Sequence, residues 1–195
     1  MNDRKEEEIF VFIEGERIDL VVGHSKWADL TCKWMNDPKV RMYSRNPWPR
    51  SLDEVKKWFE PPSSDGSVRD FIVFTIYHKQ DKKPIGTVGL NRIDWLGRSA
   101  NIFAAIGYPE YWGQGIAGEA SELIMKYGFE ELNLHKIYSG VFNPNKRSLR
   151  AAEKLGFKKE GISIHGMYVD GKYVDVHKFY LLKDDWSKRN QGKGA

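Results

Sequence analysis

Apolar residues along this chain recur at two spacings, and the switches between them mark out the elements. Residues 16–22, "ERIDLVV", alternate and predict a first strand. Residues 25–37, "SKWADLTCKWMND", put Trp27, Leu30 and Trp34 at helical spacing, with Ser25 as N-cap and Pro38 following. Residues 51–60 predict a second helix, because Ser51 and Glu54 have the spacing of a capping box and Pro61-Pro62 stops it. Between them lies a Pro-rich loop, "RNPWPRS", that carries Trp48.

The next three apolar runs, at 70–79, 85–96 and 99–108, are β-branched and aromatic and are separated by short turns. They predict an antiparallel meander. Residues 118–132 are amphipathic, with Ala120, Leu123, Ile124 and Tyr127 on one face. A strand at 135–142, a helix at 145–157 closed by Gly156, and a hairpin at 161–169 and 173–182 around "DGK" complete the pattern. The order is β-α-α-β-β-β-α-β-α-β-β. With no internal repeat and no linker, it predicts one α+β domain over residues 9–185, between flexible polar ends at 1–8 and 186–195.

Composition narrows the class. A chain of 195 residues with 41% apolar and 30% charged positions has the balance of a globular domain with its own core. The net charge of +4 is spread along the chain as a solvated, Lys-rich surface, so no direct nucleic-acid binding is expected. No apolar run approaches the ~18 residues of a membrane span, and "MNDRKEEEIF" lacks the apolar core of a signal peptide. The expectation is a cytoplasmic protein that binds no membrane. The single Cys32 sits in an apolar helical pattern and reads as a structural thiol, and no His, Cys or carboxylate spacing suggests a metal.

One stretch carries chemistry. In "YWGQGIAGEA", residues 113–118 spell G-x-G-x-x-G, the dinucleotide fingerprint. The context is wrong for that reading: four residues separate the turn from its strand, the preceding connections are hairpins, and no carboxylate lies about 20 residues on. What remains is a glycine turn opening into a helix, whose free amides form an anion nest. A purely structural turn is the alternative.

With "IGYPEYWGQGIAGEA" followed by a helix, "LNLHKIYSGVF", "NPNKRSLRAAEKLGF" and "DGKYVDVHKFYLL", the chain resembles the GCN5-related N-acetyltransferases (GNAT). Within them it is most similar to the ribosomal-protein (RimJ/RimL-like) branch. The resemblance covers residues 16–185 and is most specific over 99–157. It implies a mixed, mostly antiparallel sheet of about seven strands with about four flanking helices and splayed central strands. It also implies acetyl-CoA as co-substrate, without a metal. Gly115 and Ala117 match the family's Arg/Gln-x-x-Gly-x-Gly/Ala pattern, while Trp112 stands where the family has Arg or Gln.

The resemblance also assigns candidate sites. Amides of Gly113, Gln114, Gly115, Ile116, Ala117 and Gly118 take the pyrophosphate. Backbone near Ile106, Gly107 and Tyr108 pairs with the pantetheine arm, and an amide near Ala104 or Ala105 polarises the thioester. Asn145 contacts pantetheine or substrate besides capping a helix, and Ser148 is the proton donor to the leaving thiolate, since Ala152 stands where many members have Tyr. The usual base is a Glu in "S-A-E-I"; here the position is Asn101, which cannot accept a proton and is left to orient a water or the amine. Asp94 and Glu110 are the nearby carboxylates. Trp48 and Tyr168 either wall the acceptor cleft or pack against the first two helices.

A weak base suits an α-amine, of pKa near ~8, better than a side-chain or polyamine amine near ~10. The sequence therefore favours a protein or peptide N-terminus as acceptor, acted on by a monomer or homodimer. A polyamine or other small amine is the alternative, and a non-catalytic acetyl-CoA-binding module is the second.

Overall fold

A computed structural model of the chain describes residues 9–43, 48–60 and 69–191. Its centre is one eight-stranded sheet in the order β1-β2-β3-β4-β5-β6-β8-β7. The strands are β1 (Val11–Glu14), β2 (Ile18–Val22), β3 (Phe71–His78), β4 (Lys83–Asp94), β5 (Ser99–Ile106), β6 (Lys136–Phe142), β7 (Lys158–Val169) and β8 (Lys172–Leu182). All neighbours pair antiparallel except β5 and β6, which are parallel. The α+β class, the meander and the terminal hairpin agree with the sequence reading. The eighth strand is β1, a four-residue edge strand with a bulge between Val11 and Ile13. It is mostly exposed, so its sequence carries no alternation to find.

Six helices flank the sheet among the described residues: α1 (Ala28–Asn36), α2 (Pro38–Arg41), α3 (Leu52–Lys57), α4 (Ile116–Glu130), α5 (Lys146–Lys154) and α6 (Lys183–Gln191). Two of them add to or correct the expectations. Pro38 follows α1, as expected, and also starts α2, because Asp37 accepts from the Lys39 amide and a proline is tolerated at the first helical position. Residues 186–191, expected as tail, continue α6, whose Trp186 is buried against Phe129 of α4. A further correction concerns the first cap. Ser25 begins a 3-10 turn that His24 caps, and α1 follows without a side-chain cap. The capping box of Ser51 and Glu54 is present on α3. Residues 1–8, Pro61-Pro62 and 192–195 lie outside the described residues.

Burial explains the layering. Ile116, Ala120, Ile124, Met125 and Phe129 of α4 are buried together with Leu90, Ile102, Ile106 and Ile137 of the sheet, forming the main core. Because successive strand side chains alternate between faces, Gly89, Asn91, Asn101 and Phe103 point to the other face. Trp34 of α1 lies on that second face: its indole fills the space beside Gly107.

The feature that positions the site is a split in the sheet. β5 and β6 pair only at Ser99↔Lys136, Ala100↔Ile137 and Asn101↔Tyr138. Beyond that point β5 stays paired with β4 as far as Ile106, and β6 with β8 as far as Phe142. The two central strands therefore diverge from Asn101 onward and leave a wedge edged by unpaired backbone.

Candidate active site

At the open end of the wedge stands the glycine turn. Gly113 and Gly115 have φ of +80° and +81°, and Gly115 is the left-handed N-cap of α4, with no side-chain cap. Left-handed backbone favours glycine, and a side chain added to Gly113 or Gly118 would meet nothing within 4 Å. None of the amides from residues 113 to 118 donates to a described group. Six free N–H groups at the positive end of a fifteen-residue helix suit an anion.

Side chains that the sequence reading did not single out hold this turn in place. Arg17, between β1 and β2, donates from Nη1 to the Gln114 carbonyl at 2.8 Å and from Nε to Glu119 at 2.8 Å. Burial pushes the Glu119 carboxyl up, but hydrogen bonds from the Arg17 and Ile18 amides and the Arg17 guanidinium outweigh it and hold Glu119 below the usual glutamate range. On the other side, the buried Tyr111 donates its phenol to Asp81, which also faces His78 Nδ1 at 2.9 Å. The Tyr111 bond, followed by the charges of His78 and Lys83, holds Asp81 low, while burial raises the Tyr111 phenol. These partners lie about 100 and 30 positions away in sequence, so no local motif announces them.

The pantetheine-side backbone is partly committed. Trp112 Nε1 donates to the Ile106 carbonyl at 2.9 Å, the Gly107 amide donates to Ile85, and the Tyr108 carbonyl accepts from Tyr111. The Gly107 carbonyl and the Tyr108 amide have no partner among the described residues. Across the wedge, Asn145 caps α5 by accepting from the Ser148 amide at 3.1 Å. Trp112, Asn145, Lys146 and Arg147 line one cavity of about 370 Å³ at the open end. A second, of about 600 Å³, lies on the outer side of the turn between Arg17, Asp81, Glu110 and Gln114.

Asn101 sits at the apex of the split, the last residue of β5 paired with β6, and donates to Asn91 Oδ1 at 2.9 Å. The two candidate carboxylates are elsewhere. Asp94 accepts from the Leu96 and Gly97 amides and closes the β4–β5 turn, and Glu110 faces the outer cavity. Trp48 and Tyr168 are both largely exposed and line neither cavity. Tyr168 packs edge-on against Tyr173 at the hairpin end. Cys32 is half-buried, with its thiol on the Arg50 carbonyl at 3.3 Å. Among the described residues no cluster of metal-binding side chains is present, and no helix is long and apolar enough to cross a membrane.

A split mixed sheet with a free-amide turn at the strand exit defines a class of acyl-transfer domain, and comparison with known proteins gives the family. The family model "Acetyltransferase (GNAT) domain" matches residues 22–158. The spermidine N(1)-acetyltransferase of Vibrio cholerae is 33% identical over 141 residues, covering 72% of this chain and 79% of that protein. A crystal structure of spermidine N-acetyltransferase from Vibrio cholerae, in complex with CoA and spermine, matches with a TM-score of 0.78 and 27% identity over 88% of this chain and 98% of that one. A putative ribosomal N-acetyltransferase of Bacillus subtilis is 34% identical over 101 residues, 52% of this chain and 55% of that protein. The chain belongs to the GNAT family and is an N-acetyltransferase. The relatives named for spermidine match over more of the chain than the ribosomal one, so the alternative acceptor drawn from the sequence is better supported than the N-terminal amine.

Proposed function

We propose that the protein transfers an acetyl group from acetyl-CoA directly to a primary amine of a polyamine such as spermidine. The observation that carries this reading is the match, over nearly the whole length of both chains, to a fold whose solved structure holds CoA and spermine. The glycine turn supports the co-substrate independently, since six amides are without a described acceptor and the space beside Gly113 and Gly118 is open. Acetyl-CoA supplies an activated thioester carbonyl.

The chain's own residues do the rest. The amides of residues 113–118 bind the phosphates, and the free edge of β5 aligns the arm that carries the acetyl group. The Ala104 amide, which the β4–β5 register turns toward the wedge while that of Ala105 is bonded to β4, polarises the carbonyl as the amine nitrogen attacks. A C–N bond forms, the C–S bond breaks, and the proton lost by the amine reaches the thiolate through Ser148. Asn145, bonded to the Ser148 amide, fixes that first turn of α5. The Asn101–Asn91 pair orients the incoming amine or a water without taking its proton.

An N-terminal α-amine is the second reading, and one observation favours it. Gly89, Asn91, Asn101, Phe103 and Tyr138, on the face around the apex, include no carboxylate to attract a polycation. A competition assay separates the two. Spermidine and an N-terminal peptide are offered together with acetyl-CoA and the products are read by mass spectrometry. Acetylspermidine in excess is the expected outcome; acetylated peptide alone would transfer the proposal to the second reading.

A further inference from the structure

The cavity at the open end of the wedge has an unusual charge. Lys39, Lys146 and Arg147 line it together with Trp112 and Asn145, and among the described residues no carboxylate does. A cationic acceptor is repelled from such a space, whereas an anion is drawn into it. Lys146 already donates to Asn143 at 3.2 Å, and Lys39 reaches the cavity from α2. Arg147 is different. Its guanidinium lies over the Trp112 ring at 4.6 Å, and it has no ion pair with a described carboxylate.

Trp112 is itself fixed. Its indole N–H is bonded to the Ile106 carbonyl at the end of β5, and its backbone runs directly into Gly113. Stacking on that ring links the first turn of α5 to the strand exit, at the residue directly before the glycine turn. An aromatic face orients an arginine at a cost of little entropy and leaves its N–H edge free to fork onto a phosphate.

We propose that Arg147, held by Trp112, is a ligand of the diphosphate of acetyl-CoA, supplying the positive side chain that the uncharged Gly-Gln-Gly-Ile-Ala-Gly turn lacks. The inference rests on the acetyl-CoA reading above and names the side chain that completes it. The amides provide geometry and Arg147 provides charge, so affinity for the co-substrate depends on salt more strongly than amides alone would require. The acceptor amine, excluded from this cationic space, reaches the wedge from the Asn91 and Asn101 face.

Calorimetric titration with three ligands tests this: CoA, 3′-dephospho-CoA, which keeps the diphosphate, and pantetheine, which has no phosphate. Arg147→Met should weaken CoA and dephospho-CoA alike, by about 10- to 100-fold, and leave pantetheine unchanged. Arg147→Lys should recover part of the loss. Equal weakening of all three ligands, or of none, would overturn the assignment, and a loss confined to CoA would move the contact off the diphosphate. If the unmodified protein bound none of the three, the acetyl-CoA reading itself would fail, a result distinct from the others.

Discussion

Gly107 offers the sharpest test of how the first helices are joined to the cofactor strand. A Cβ built there would lie 2.2–2.3 Å from three ring carbons of Trp34, which is itself 6% exposed. Ordinary carbon contacts lie at about 3.5 Å or more, so the indole must withdraw by roughly 1.2 Å. Trp34 has little room for this, because it packs edge-on against Tyr108 at 5.4 Å and anchors α1. Forced overpacking of this kind costs about 1–3 kcal/mol. For a domain of this size that is a fall in Tm of about 2–12 °C. The same shift displaces the free Gly107 carbonyl and Tyr108 amide, so KM for acetyl-CoA should rise. The assay is thermal unfolding and steady-state kinetics of Gly107→Ala, alone and with Trp34→Leu. In the Trp34→Leu background the added methyl should cost almost nothing. If Gly107→Ala is as stable as the parent, or is equally costly in both backgrounds, the contact does not join α1 to the strand.

Other outcomes follow from the same geometry. Gly115→Glu puts a side chain into left-handed backbone, at a strain of about 1–3 kcal/mol, and a negative charge beside the free amides; CoA titration should show binding abolished while the circular dichroism stays native. Ser148→Ala should lower kcat by roughly 100- to 10,000-fold with little change in CoA affinity, read by steady-state rates and titration. Glu119 has its pKa depressed in the folded state, so its stabilisation is present above the ordinary glutamate range and is lost as pH falls through the folded pKa. Glu119→Gln should therefore lower Tm at neutral pH, with the gap between variant and parent narrowing in acid. Because Asn101 takes no proton, kcat/KM should climb with pH toward the pKa of the free acceptor amine, about 10 for a polyamine and about 8 for an α-amine. A plateau near neutral pH with spermidine would reveal a base in the protein.

What the sequence disclosed and what it concealed follow from the range of each interaction. The meander, the hairpin and the amphipathic α4 are local patterns of burial and were legible directly. Strand β1 was not, because an exposed four-residue edge has no alternation, and α6 was not, because a polar helix buries only Trp186 and is otherwise held by long-range ion pairs of Asp185 and Arg189. The glycine turn was legible as a motif, yet its supports were invisible: Arg17 and Asp81 reach it only through the folded sheet. Asp94 shows the converse. Its nearness in sequence to the site suggested a base, but two local amides bind it into a turn. The stacking of Arg147 on Trp112 crosses the wedge between elements that sequence alone leaves unrelated.

The most direct measurement of the central claim is the initial rate of free-thiol release from acetyl-CoA with spermidine as sole acceptor. The protein should turn over, saturably in both substrates, with a rate that falls to background in Gly115→Glu. CoA binding without thiol release on spermidine at any pH up to that of the free amine would contradict the account.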